Sequence, residues 1–216
     1  MSSVGDGFAW AFRDPAWPGK MLVQGLIAII PIVGWIAMTG WLMMAFENAR
    51  SGRNELPAAG FHLERGIAMF GVFLIYGIVL NVPSIILLTV GGIASAHSQS
   101  IFNAGSPLSS LGYLLSTAAS LFFRFLSPSL IVNTYLGGFS GGMDVMGVWR
   151  VAVANVGNSV IAGLVILVAS FIGGIGFACC IGFIFTIPYE NVITAAAAAW
   201  FEKEQGALAP APPPAP

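Results

Sequence analysis

The sequence predicts an all-α protein: a polytopic bundle of about five apolar helical segments with an amphipathic helix on the membrane surface. Two observations carry this. Of the 216 residues, 57% are hydrophobic and 8% charged, whereas a soluble domain carries roughly 25% charged residues. The charges are also segregated: none falls between Lys20 and Glu47, and none from 67 to 96. A spanning helix needs about 20 consecutive, mostly apolar residues, and both runs exceed that.

The segments follow in order. Residues 1–20 form an N-terminal interfacial segment, because Phe8, Trp10, Phe12 and Trp17 belong to a class of side chain that favours the membrane–water boundary. The helical transmembrane domain covers 21–204. Its first segment, 21–46, is interrupted by Pro31-Ile32-Val33-Gly34, which predicts a kink or break near its middle. The second, 67–96, carries Asn81 and Pro83, and the third, 107–134, carries Arg124 and Pro128. From 156 to 200 the chain is too long for one span, and two helices are expected, separated around Gly173-Gly174-Ile175-Gly176. Those glycines serve a tight turn or a close helix contact.

Before this pair, Phe139, Met143, Met146 and Trp149 recur at helical spacing among Ser140, Asp144 and Arg150, which predicts a surface helix over 139–150. Trp200-Phe201 followed by Glu202-Lys203-Glu204 marks the exit of the last helix. Residues 205–216, rich in Pro and Ala, are expected to be a disordered tail. The charges and prolines of the first 20 residues argue against a cleavable signal peptide.

Lys and Arg are retained on the cytoplasmic side. Arg50, Arg53 and Arg65 place the 47–66 loop there, and Arg150 and Lys203 place the 135–155 loop and the C-terminus there. The loops near 97–106 and 173–177 have neither residue and fall outside. The first segment fits this pattern less neatly. A full crossing, which is slightly favoured, would put Arg13 and Lys20 outside; a re-entrant hairpin would keep them inside.

A net charge of −1 gives no basic field for nucleic acid. Cys179 and Cys180 are adjacent, so they suit neither an ordinary disulfide framework nor a zinc site. They read as small apolar residues of a helix interface. Gly138-Phe139-Ser140-Gly141-Gly142 matches G-x-S-x-G, but that motif requires a strand-to-helix elbow and a partner histidine. His62-Leu63-Glu64 has no C-x-x-C partner to complete a deaminase zinc site. The glycines at 173–176 do not complete G-x-G-x-x-G and follow no strand. No catalytic, cofactor-binding or metal-binding residue is therefore expected.

The N-terminal third carries Ala11-Phe12-Arg13-Asp14-Pro15-Ala16-Trp17 with Lys20, then Ile30-Pro31-Ile32-Val33-Gly34, Gly40, and Asn48-Ala49-Arg50-Ser51-Gly52 leading to Leu56-Pro57. Together with the segment from Pro128 to Tyr135 and with Pro188-Tyr189, this resembles a family of prokaryotic membrane proteins, domain of unknown function 4013. The family's usual aromatic and acidic residues after Leu-Pro are replaced by Ala58-Ala59-Gly60. The resemblance implies an architecture and a membrane address, and no functional residue.

The exceptional residues are the charged Arg124 and Glu190, with Asn81 as a third polar group at depth. A charge at the bilayer centre costs about 2.5–3.5 kcal/mol on insertion scales, so each must pair, snorkel or line water. Counted from the outer helix ends, Arg124 and Glu190 lie at about 26 and 20 Å, which predicts a pair between the third and fifth segments. Ala169 with Gly173 and Ala178 with Gly182 are small residues four apart, which serve intramolecular packing or a homo-oligomer. The expected function is a non-enzymatic scaffold or accessory subunit, with the lipid bilayer and a protein partner as its surroundings. The alternative is a small transporter, channel or lipid-handling protein using Arg124, Glu190 and Asn81.

Overall fold

A computed structural model describes residues 3–97, 107–178 and 182–208. All its regular elements are helical: α1 Asp6–Trp10, a 3-10 turn Ala11–Arg13, α2 Trp17–Ala28, α3 Val33–Arg50, α4 Leu63–His97, α5 Pro107–Met143, α6 Val145–Ala154, α7 Val156–Ala178 and α8 Phe183–Leu208. Among the described residues, three helices are long and apolar enough to cross a membrane: Leu63–Ile93, Pro107–Met143 and Val156–Gly176. Cys179, Cys180, the 98–106 loop and the tail from 209 lie outside the described residues.

The chain divides into two compact units, Met1–Val72 with Phe125–Pro216, and Phe73–Arg124. The first is built around α8. Val192, Ile193 and the run Ala195 to Ala199 are all buried. Consecutive buried positions mean that the helix is covered on every side, which five alanines permit because their methyl groups let neighbouring backbones come close. α7, α3, α2 and α1 surround it.

Residues 21–46 form a helical hairpin that reverses at the expected break around Pro31. Contacts to α8 run backwards along the first arm: Gly7 lies against Ala196, Phe12 stacks near Tyr189 at 5.5 Å, and Gly25 lies against Ile184. They then run forwards, so that Arg50 at the end of α3 meets Glu202 at 2.7 Å. α2 is therefore antiparallel to α8 and α3 parallel to it. The reversal occupies Ile29–Ile32, where Ile32 adopts φ 64°, a conformation a β-branched residue rarely holds. Proline at 31 removes one helical donor.

Three further boundaries differ from the sequence reading. The glycines at 173–176 lie inside α7, which is described as helix as far as Ala178. They serve close contact: a side chain on Gly173 would occupy the Glu190 carboxylate, and one on Gly176 the Thr186 hydroxyl. The expected surface helix over 139–150 is split at Asp144, which accepts from the Gly147 N–H at 3.0 Å and starts α6 as its N-cap, while Gly138, non-helical at φ 60°, ψ −151°, sets its first part off from the body of α5. α8 runs to Leu208, four residues into the stretch expected to be tail, with Gln205 donating to the Val151 carbonyl at 3.2 Å.

The second unit holds the end of α4 and the start of α5. Phe73 meets Phe123 edge-on at 5.5 Å, and Gly112 accommodates Leu88. Ile78, Val79, Val82, Ile85, Ile86, Leu111 and Leu114 are exposed.

Candidate functional site

A long-range polar cluster joins the base of the α2–α3 hairpin to residues 51–62. Asp14 precedes α2, and its backbone carbonyl accepts from Trp17 at 3.0 Å while its carboxylate accepts from the Ala16 N–H at 2.8 Å. The same side chain accepts from Lys20 Nζ at 2.7 Å and from the Leu56 N–H at 2.8 Å. Lys20 also donates to the Leu56 carbonyl at 2.6 Å. One turn further, the fully buried Gln24 accepts from the Gly60 N–H at 3.0 Å. Two indoles complete the clasp: Trp10 donates to the Arg53 carbonyl at 2.9 Å and Trp41 to that of Pro57 at 3.2 Å. Residues 51–62 have no regular structure, so side chains supply the partners their backbone would otherwise lack.

Asp14 is 3% exposed. Burial pushes its carboxyl up, but the hydrogen bond from Lys20, those from the Ala16 and Leu56 N–H groups and the ammonium charge outweigh it. The carboxyl is held below its ordinary value. With its oxygens engaged by these donors, the carboxylate is arranged to hold a strap in place.

The sequence-predicted polar residues fall in different places. Glu190, on α8, accepts from the Ser170 hydroxyl of α7 at 2.7 Å. Beside it Thr186 donates to the Gly173 carbonyl at 3.1 Å, and Tyr189 donates to the Phe8 carbonyl at 2.7 Å. Pro188 supplies no N–H to the carbonyl of Ile184, four residues back, and this carbonyl is the one against which Gly25 sits. The proline thus opens a docking point that only a glycine on α2 can approach. Asn81 belongs to the second unit, donates to the Gly77 carbonyl at 2.8 Å and accepts from Ser116 across the hairpin at 3.4 Å. Arg124 also belongs to that unit, and Glu190 to the first, so the pair anticipated between them remains an expectation.

A cleft of about 570 Å³ lies between the end of α3 and α8, lined by Arg50, Ser51, Trp200, Glu202 and Lys203 among others. Arg50 is committed within it: bridged to Glu202 at 2.7 Å, its guanidinium stands 5.4 Å from the Tyr135 ring centre. Ser140, the serine of the G-x-S-x-G match, follows a kink between helical turns, with its hydroxyl on the Gly137 carbonyl at 3.0 Å. His62 contacts the Ala58 carbonyl at 2.8 Å.

The Asp14–Lys20–Leu56 clasp was not singled out as a site by sequence reasoning, although its residues stood in the family resemblance. The one available signal is that Asp14 and Lys20 flank the start of a helix while Leu56-Pro57 follows downstream; spacing alone does not join them.

Fold and site define an all-helical protein with several apolar helices, held together by a buried clasp. The chain belongs to the family described as protein of unknown function (DUF4013), whose model matches residues 23–185. That range contains Gln24, the hairpin turn and Leu56-Pro57, while Asp14, Lys20 and Tyr189 lie beyond it. No curated protein and no solved structure matches the chain.

Proposed function

We propose that the protein is a non-enzymatic scaffold or accessory subunit of an assembly in the cytoplasmic membrane. α4, α5, α7 and α8 cross in this reading, and α6 lies along the inner surface. Arg50, Arg53 and Arg65 keep the 47–66 loop cytoplasmic, and Lys203 keeps the C-terminus there.

The observation that carries the reading is how the polar groups at depth are used. Asn81, Ser170, Thr186 and Glu190 all enter hydrogen bonds within or between helices. Such bonds occupy these groups inside the bundle, whereas a coupled transporter gathers several polar groups around a site on broken helices. The exposed apolar flank of the second unit suits lipid or a neighbouring subunit. One feature favours the transporter alternative: the hairpin interrupts an apolar segment, as discontinuous helices do in transporters.

The test is purification from native membranes in mild detergent, with mass determined in solution. The reading expects a defined complex, hetero-oligomeric or homo-oligomeric, that survives dilution. A monomer that moves a solute across reconstituted vesicles, and loses that flux in Glu190→Gln, would replace it with the alternative.

A further inference from the structure

We propose that the α2–α3 hairpin is a re-entrant membrane element, entering from and returning to the cytoplasmic face, with the acyl chains of the bilayer as the partner of its tip. This rests on the membrane reading above and adds the side of the N-terminus and the depth of the hairpin.

The tip is apolar and uncovered. Leu26, Ile29, Ile30 and Val33 are exposed, Ile32 is 63% exposed and Trp35 60%. A contiguous apolar patch of this kind is unfavourable in water. No charge lies between Lys20 and Glu47, so no charged side chain on the hairpin opposes transfer into hydrocarbon. At its other end the character inverts. Arg13, Asp14, Lys20, Glu47, Arg50 and Arg53 bracket the hairpin, and Lys20 bonds across to Leu56. Polar base and apolar tip are thus separated along one axis.

That axis is fixed by α8. The tip end of α2 abuts Ile184, next to the start of α8, while the base of α3 abuts Glu202 near its exit. With α8 crossing outward-to-inward, the tip points to the outer leaflet and the base to the cytoplasm. The lengths agree: α3 has 18 residues and α2 has 12, giving about 27 and 18 Å, both short of the roughly 30 Å of hydrocarbon. The re-entrant path also returns Arg13 and Lys20 to the side that holds Arg50, Arg53 and Arg65, which removes the exception to the charge rule that a full crossing creates. Ile32 at φ 64° is then a strained residue held at the deepest point by the two helices it joins.

The test is cysteine labelling of the full chain in a background with Cys179→Ser and Cys180→Ser, using an impermeant maleimide. Ser3→Cys and Asn54→Cys should both be protected in intact cells and both labelled in inverted vesicles. Ile32→Cys and, as a second tip position on less strained backbone, Ile29→Cys should be protected in both preparations and labelled only after the membrane is dissolved and the chain denatured, because a thiol among acyl chains does not ionise. Labelling of Ser3→Cys but not Asn54→Cys in intact cells would establish a full crossing and overturn the hairpin's re-entry while leaving the membrane reading intact. Labelling of both tip positions by the impermeant reagent would overturn the lipid partner. Release of the protein by alkaline carbonate would overturn the membrane reading itself.

Discussion

Asp14 holds the backbone of Leu56, 42 residues along the chain, with its carboxylate 2.8 Å from the Leu56 nitrogen. The lysine that neutralises it, Lys20, binds the Leu56 carbonyl as well, so one peptide unit is gripped at both polar ends. Removing Asp14 would leave the Ala16 and Leu56 amides without their acceptor and the ammonium with the Leu56 carbonyl and no counter-charge, whereas removing Lys20 leaves a carboxylate that still has two backbone donors. Asp14→Ala should therefore cost more than Lys20→Met, on the order of 3 kcal/mol for a largely buried partner. The double variant should recover part of that loss in thermal unfolding in detergent. Additive losses would remove the coupling from the explanation.

The same carboxylate predicts an acid sensitivity. Its pKa is lowered in the folded protein, so it adds stability above the ordinary carboxylate value of 3.8, and that stability disappears as pH falls through the folded value. Melting temperatures measured from pH 7 downwards should fall steeply at the acid end in the parent chain. Asp14→Asn should begin lower and show a shallower fall. Parallel curves for the two proteins would mean that other groups govern the acid limb.

Gly173 and Glu190 make a second, independent contact, between α7 and α8. A side chain on Gly173 would occupy the position of the Glu190 carboxylate. Overpacking of this kind costs about 1–3 kcal/mol. Gly173→Val should fall in that range, and Glu190→Ala in the same chain should restore part of the loss by vacating the space. No rescue would show that the helices are spaced by something else.

Asn81 should matter little to stability. Its bond from Ser116 is long at 3.4 Å, and its amide is already engaged by the Gly77 carbonyl in its own helix. Interhelical hydrogen bonds of this type average about 0.6 kcal/mol in membrane bundles. Asn81→Val should lie near that figure by unfolding in detergent. A loss several times larger would give Asn81 a role in packing that its geometry lacks.

The helices were readable because uncharged runs of spanning length leave few alternatives. What escaped the reading is where the chain turns. Residues 21–46 have the length of one span, and Pro31 predicts a break, but whether a break is a kink or a reversal depends on what lies beside it, here Ile184 and its freed carbonyl. The glycines at 173–176 suit a tight turn or a close helix contact equally; only Glu190 and Thr186 on the facing helix distinguish the two uses. The 139–150 period is real, yet Asp144 interrupts it by capping a new helix, which periodicity ignores. The clasp was hidden because its residues are individually ordinary: one Asp, one Lys and a polar stretch of loop become a site only when the hairpin folds back.

The most direct measurement is a distance between spin labels at Gly19→Cys and Glu55→Cys in lipid, with Cys179 and Cys180 replaced by serine. Both positions are exposed, and their neighbours Lys20 and Leu56 are bonded at 2.6 Å. The hairpin predicts a single short distance, well below the roughly 30 Å of the hydrocarbon layer. A distribution centred at or beyond that thickness would place the two ends of the segment on opposite faces and contradict the fold described above.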